Sequence, residues 1–384
     1  MRKIFCFVLA LLLLLPVFAL SAAAAGPEVG GKSALLMDVA TGTVLFEKNA
    51  HEKLAPASVT KVMTMLLIME AIDAGRIGWD DTVTASEAAA AKGGSQIYLK
   101  VGETMSVSDM VKSIAVSSAN DCACAMAEHI AGSEEAFVGL MNERAAQLGM
   151  NDTHFVNCTG LDDGADAAAH LTCAYDIALM SRELLLKHPD IKKFTTIWMD
   201  TVRNGAFGLA NTNKLVRFYP GATGLKTGFT SSAGYCLSAS ALRDGMELIA
   251  VVMGAETSQE RFSTCKQLLD YGFANFALVD AKLPEAASVP VKLGKQDSVR
   301  AVAATDTSLL IDKSQLNTVN IQTALEESVT APVSQGQRLG TMTIRSGEQI
   351  LAQVPLVAEQ AVLRRSWWDI FLELLRMVTM AKPG

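Results

Sequence analysis

Ser58-Val-Thr-Lys61 sets a hydroxyl and an amine three residues apart, a spacing that puts both on one face of a helix. A serine hydroxyl is a weak nucleophile until a neighbouring base takes its proton. Lysine can be that base when burial or a nearby cation lowers its pKa. Alone the motif says little, because an N-capping serine with a solvated lysine has the same spacing. Two later groups change its weight. Ser118-Ala-Asn120 offers a second hydroxyl and an amide between two helical stretches. Lys226-Thr227-Gly228 adds a second amine and a hydroxyl before a strand-like stretch from Phe229 to Ser240. A strand carrying a hydroxyl and a glycine can run an acylating substrate along its edge.

The elements that must position these groups follow from apolar periodicity. Ser33–Met37 and Thr43–Phe46 flank Asp38-Val-Ala-Thr-Gly42, a strand–turn–strand pattern. Pro56 and Ser58 precede a helical repetition of Val62, Met63, Leu66, Leu67 and Met69. Short Ala-rich helices are expected from Asp81 to about Met150, and an amphipathic helix from Thr172 to Lys187. Gly234–Ser240 and Glu247–Gly254 read as strands joined at Arg243-Asp-Gly245, before a helix from Gln259 to Phe276. Strands at both ends with helices between them indicate an α+β domain with an inserted helical part. Lys282-Leu-Pro284 marks a boundary, and residues 285–358 read as a small all-β domain with a hairpin across Ser346-Gly347.

The order S-x-x-K, S-x-N, K-T-G resembles the signature of penicillin-binding proteins and serine β-lactamases. More closely, the chain resembles the low-molecular-mass penicillin-binding proteins that are serine-type D-alanyl-D-alanine carboxypeptidases. The resemblance rests on Leu54–Lys61, Val116–Asp121, Asn211–Leu215, Gly224–Thr230 and Ala233-Gly-Tyr235. It covers nearly all of the chain beyond its first residues. Ala119, where the family more often has glycine, and Phe229, at a variable position, depart from the pattern without touching a reacting group.

This resemblance implies a fold and a mechanism. The fold would be a transpeptidase-like α+β domain over residues 26–281, an antiparallel sheet with flanking helices, followed by the β domain. Ser58 would attack the carbonyl between the two terminal D-alanines of a peptidoglycan stem peptide, and Lys61 would take its proton. Ser118 would relay a proton to the leaving D-alanine, and Asn120 would position Lys61 and the substrate amide. Lys226, Thr227 and Gly228 would bind substrate, Lys226 also keeping Lys61 neutral by its charge. The backbone N–H groups of Ser58 and Phe229 would form the oxyanion hole. Arg203 is a candidate second clamp on the substrate carboxylate. β-Lactams would acylate the same serine. No cofactor is implied.

Composition narrows the alternatives. Among 384 residues, half are hydrophobic and the net charge is −7, which excludes a disordered chain and argues against a nucleic-acid binder. Arg2 and Lys3, the apolar run Ile4–Leu15 and Ser21-Ala-Ala-Ala-Ala25 read as a signal peptide over residues 1–25, so export is expected. Six cysteines remain after it, read mainly as buried thiols. No metal site is expected, since CxxC and HExxH are absent. A class A β-lactamase would show a deacylating E-x-x-L-N between the second and third motifs, and none of Glu128, Glu134, Glu135, Glu143 and Glu183 starts one. Another acyl-transfer activity and a catalytically idle cell-wall binder remain as alternatives, the latter disfavoured because Ser58, Lys61 and Lys226 are all present. Residues 362–380 place Leu363, Trp367, Ile370, Phe371, Leu374 and Val378 opposite Arg365, Asp369, Glu373 and Arg376. That pattern predicts an amphipathic helix lying on the outer face of the cytoplasmic membrane.

Overall fold

The computed structural model describes residues 26–380 except Ala165, 284–286 and Asp306, so the expected signal peptide lies outside the described residues. An antiparallel five-stranded sheet forms the frame, in the order Val44–Lys48, Ser33–Asp38, Met246–Ala255, Gly234–Arg243, Ala222–Thr230. Side chains alternate along these strands and feed two cores. Leu35, Met37, Ile249, Val251 and Met253 face the helical half of the molecule. Ala34, Leu36, Leu248, Ala250 and Val252 face the helix Ser258–Asn275. Helix Ala174–Lys187 covers the other face of the sheet. Met246–Ala255 is therefore buried at every position, which explains the unbroken apolar run Leu248–Met253 within it.

Helix Lys61–Asp73 carries no apolar stripe. Val62, Met63, Met65, Leu66, Leu67, Ile68 and Met69 are all buried, because the helix runs through the middle of the helical half. It packs against helices Val107–Ser117, Asn120–Ala131, Glu134–Gln147 and Ala174–Lys187. Ser106, Ser133 and Thr257 cap three of the surrounding helices by accepting from the N–H groups of Asp109, Ala136 and Glu260. All six described cysteines are buried and none is bridged.

Two expectations need correction. Lys226-Thr-Gly228 does not precede a strand; it lies inside the edge strand Ala222–Thr230, and Ser231–Ala233 turns the chain into Gly234–Arg243. Phe229–Ser240 is thus a hairpin and not one strand. At the other end, the helix starts at Trp367 and not at 362. Val362 and Arg364 instead bridge to Val333 and Gly294, and Arg365 bonds the Gly294 carbonyl and Asp297, strapping this segment to the C-terminal β unit. That unit is a six-stranded sheet with its own core, including Val289, Val299, Leu339, Met342 and Leu356. Strand Phe276–Asp280 pairs with Ser308–Asp312 and links it to the first part.

Candidate active site

The chain turns from Pro56 through a 3-10 turn, Ala57–Thr60, directly into helix Lys61–Asp73. Ala57 sits at φ +48°, a left-handed conformation that is costly for a residue with a Cβ. Ser58 is half-buried while its neighbours Ala57, Val59, Thr60 and Lys61 are buried. Its hydroxyl caps no helix. It accepts from Lys61 Nζ at 2.9 Å. Lys61 Nζ also donates to the Thr159 carbonyl at 2.8 Å. Complete burial lowers the Lys61 pKa from 10.5 to about 7, against a smaller upward pull from the Cys158 thiol and Asp121. A neutral amine here can accept the Ser58 proton along the same 2.9 Å line.

Ser118 lies between helices Val107–Ser117 and Asn120–Ala131, at φ +64°, with a buried hydroxyl that has no partner. Asn120 donates from Nδ2 to the Gly93 carbonyl at 2.7 Å, and its Oδ1 is buried without a partner. Buried polar groups are normally satisfied, so these two open positions at the site are chemically significant. Asn120 does not hold Lys61; the Thr159 carbonyl does. Asp121, next in line, accepts from the Ile97 and Leu99 N–H groups and fixes the loop beside Ser118 and Asn120.

The edge strand closes the other side. A Cβ on Gly228 would stand 2.6 Å from the Pro56 carbonyl and 3.1 Å from the Ser58 nitrogen, so only glycine lets the strand run this close to the nucleophile. Lys226 is buried, and burial first, then Lys61 and Arg261, push its pKa well down. Burial is the largest cause acting on Lys61, and the charge coupling between the two lysines falls on Lys226. Thr227 donates to the Thr212 hydroxyl at 2.7 Å. Arg261 donates to the Gly228 and Cys236 carbonyls at 2.9 and 3.3 Å, anchoring the strand from behind. Phe229 is exposed and its ring lies 4.3 Å from that of Tyr235.

Arg203 is not an open clamp. Its Nε donates to Glu103 at 2.6 Å and its Nη groups to the Ile97 and Tyr98 carbonyls. The carboxylate it holds belongs to its own chain. Thr159, Arg261 and Thr212 are participants that the sequence does not single out, and Thr159 acts through its backbone oxygen, which leaves no side-chain signature. The group of metal-type ligands found among the described residues is His51, Asp152 and Cys173, and Asp152 already pairs with His51 and Lys53 at 3.2 and 3.5 Å.

A D-alanyl-D-alanine carboxypeptidase family model matches residues 20–257, and a penicillin-binding protein 5 C-terminal domain model matches residues 279–364. The chain belongs to this carboxypeptidase family. It is 44% identical over 335 residues to D-alanyl-D-alanine carboxypeptidase DacF of Bacillus subtilis, covering 86% of this chain and 85% of that one. Penicillin-binding protein 5 of Haemophilus influenzae has a similar structure, with a TM-score of 0.75 at 31% identity over 88% of this chain and 99% of the other. Penicillin-binding protein D2 of Listeria monocytogenes, solved with ampicillin bound, matches with a TM-score of 0.59 at 32% identity over 64% of this chain and 100% of its own. The protein is a serine-type D-alanyl-D-alanine carboxypeptidase, a cell-wall hydrolase of the penicillin-binding class with an α+β catalytic part and a β C-terminal part.

Proposed function

We propose that Ser58 is the residue acylated by the stem peptide. The observation that carries this is the hydroxyl of half-buried Ser58, 2.9 Å from a buried lysine whose pKa is lowered to about 7. The substrate lies antiparallel to the free edge of Ala222–Thr230, which offers unpaired backbone groups. Lys61 Nζ takes the Ser58 proton as Oγ bonds to the penultimate D-alanine carbonyl. The oxyanion is met by the N–H groups of Ser58 and Phe229, and the terminal D-alanine leaves with a proton relayed through Ser118. Asn120 Oδ1, left open in the structure, accepts from the substrate amide. Lys226 and Thr227 receive the terminal carboxylate, whose negative charge favours the protonated form of Lys226. Water then hydrolyses the Ser58 ester. The catalytic domain extends over 26–281 and the β domain over 285–358. Incubation with diacetyl-Lys-D-Ala-D-Ala should release one D-alanine per peptide. Hydrolysis of penicillin at a similar rate without D-alanine release would favour a β-lactamase instead.

The C-terminal helix, Trp367–Met380, serves as a membrane anchor on the outer face. No described helix is long and apolar enough to cross a membrane. Yet Trp367 and Trp368 are 67% and 63% exposed, and Ile370, Phe371, Leu372 and Leu374 are exposed with them. A helix docked on its own protein would bury these side chains, whereas an interfacial helix leaves them for lipid. The side chains of Glu373, Arg376 and Val378 lie outside the described residues. Residues 362–384 carry a net +2, four basic against two acidic, which favours anionic lipid. Truncation after Ser366 keeps the Val362–Arg365 strap. It should abolish co-sedimentation with anionic liposomes and leave turnover of small peptides unchanged. Equal sedimentation of both forms would refute the anchor.

A further inference from the structure

His170 and Thr60 stand behind the nucleophile and make a directed chain of hydrogen bonds. The Val156 N–H donates to His170 Nδ1 at 3.1 Å. Nδ1 is therefore the bare nitrogen, and the proton is on Nε2, 2.8 Å from Thr60 Oγ1. Thr60 Oγ1 in turn donates to the Ala57 carbonyl at 2.8 Å. His170 and Thr60 are buried, at 4% and 0% exposure. Burial, then His154 and Lys61, pull the His170 pKa to about 4, so the ring is neutral and keeps this donor–acceptor pattern at neutral pH. Gly160 packs over the same carbonyl, where a Cβ would meet it at 1.8 Å.

The Ala57 carbonyl and the Ser58 N–H belong to one planar peptide unit and point in opposite directions. Whatever fixes that oxygen fixes the direction of that N–H. The left-handed φ of Ala57 is a conformation the chain leaves readily unless the surroundings hold it. We propose that His170 is a positioning residue for acyl transfer: through Thr60 it holds the Ala57–Ser58 peptide so that the Ser58 N–H is aimed into the oxyanion hole. This rests on the assignment of Ser58 above. His170 contacts no substrate and transfers no proton to it.

Its test uses the full chain and benzylpenicillin, with intact-mass spectrometry following the acylation rate, and D-alanine release giving kcat and KM. Thr60→Val keeps the side-chain volume and removes the hydroxyl. It should acylate about 10–100-fold more slowly, because a misaimed oxyanion donor costs part of the roughly 10²–10³ that losing one costs. The loss should fall on kcat with KM nearly unchanged, since the oxyanion exists only past the ground state. Thr60→Ser, which keeps the hydroxyl, should recover most of the rate. His170→Ala should slow acylation similarly, and adding it to Thr60→Val should cost little more, as expected for two links of one chain. All variants should still reach one adduct per protein at long times, which separates a slower site from a smaller folded fraction. Wild-type rates in Thr60→Val, or additive losses in the double variant, would overturn the proposal. If wild-type protein is acylated away from Ser58, the underlying assignment fails instead.

Discussion

Ser58→Ala should abolish both D-alanine release and the benzylpenicillin adduct. Removing a nucleophile leaves only binding and oxyanion stabilisation, so the expected loss is about 10⁴-fold or more. The fold should survive, because the hydroxyl of half-buried Ser58 bonds Lys61 and caps no helix. Loss of that bond leaves Lys61 held by the Thr159 carbonyl. Intact mass after incubation with benzylpenicillin reads the first effect and thermal unfolding the second. An adduct that persists in Ser58→Ala would place the nucleophile elsewhere.

The second large effect concerns Lys61. A base must be deprotonated to work, and the Lys61 pKa is lowered to about 7, chiefly by burial. Acylation should therefore rise with pH, falling about tenfold per unit below pH 7 and levelling off above it. Lys61→Ala should lose about 10²–10⁴-fold and lose this rising limb as well. Measuring the second-order acylation rate from pH 5 to pH 9 for both proteins tests the two statements together. A wild-type rate flat across pH 7, or a Lys61→Ala protein retaining near-wild-type acylation, would remove Lys61 from the role of base.

Much of this site was legible from residue spacing, and the parts that were not share a physical reason. Ser58 and Lys61 are local partners, three residues apart at a helix start, so their juxtaposition follows from helix geometry alone. Ser118 lies between two helices as its flanking periodicity predicts, whereas Asn120 is already the first residue of the second helix. The sequence puts Lys226 before a strand, whereas it lies inside one whose Gly228 permits close approach to Pro56 and Ser58. The Thr159 carbonyl and the Gly160 approach reach the site from about 100 residues away, and backbone groups leave no trace in residue type. Arg203 shows the converse failure. A guanidinium's bidentate fork suits a carboxylate clamp, but Glu103 and two carbonyls brought in by tertiary folding satisfy it. In the helix Trp367–Met380 the apolar pattern was evident, yet Leu363 and Arg365 fit its period by coincidence and belong to the strap that precedes it.

Peptide mapping of the benzylpenicillin-treated protein reads directly which atom becomes acylated. Proteolysis followed by tandem mass spectrometry should locate a single penicilloyl mass on the side chain of Ser58. The peptides carrying Ser118 and Lys226 should be unmodified. A penicilloyl group on Ser118, on a lysine or outside the site would contradict the assignment of Ser58 and the mechanism built on it.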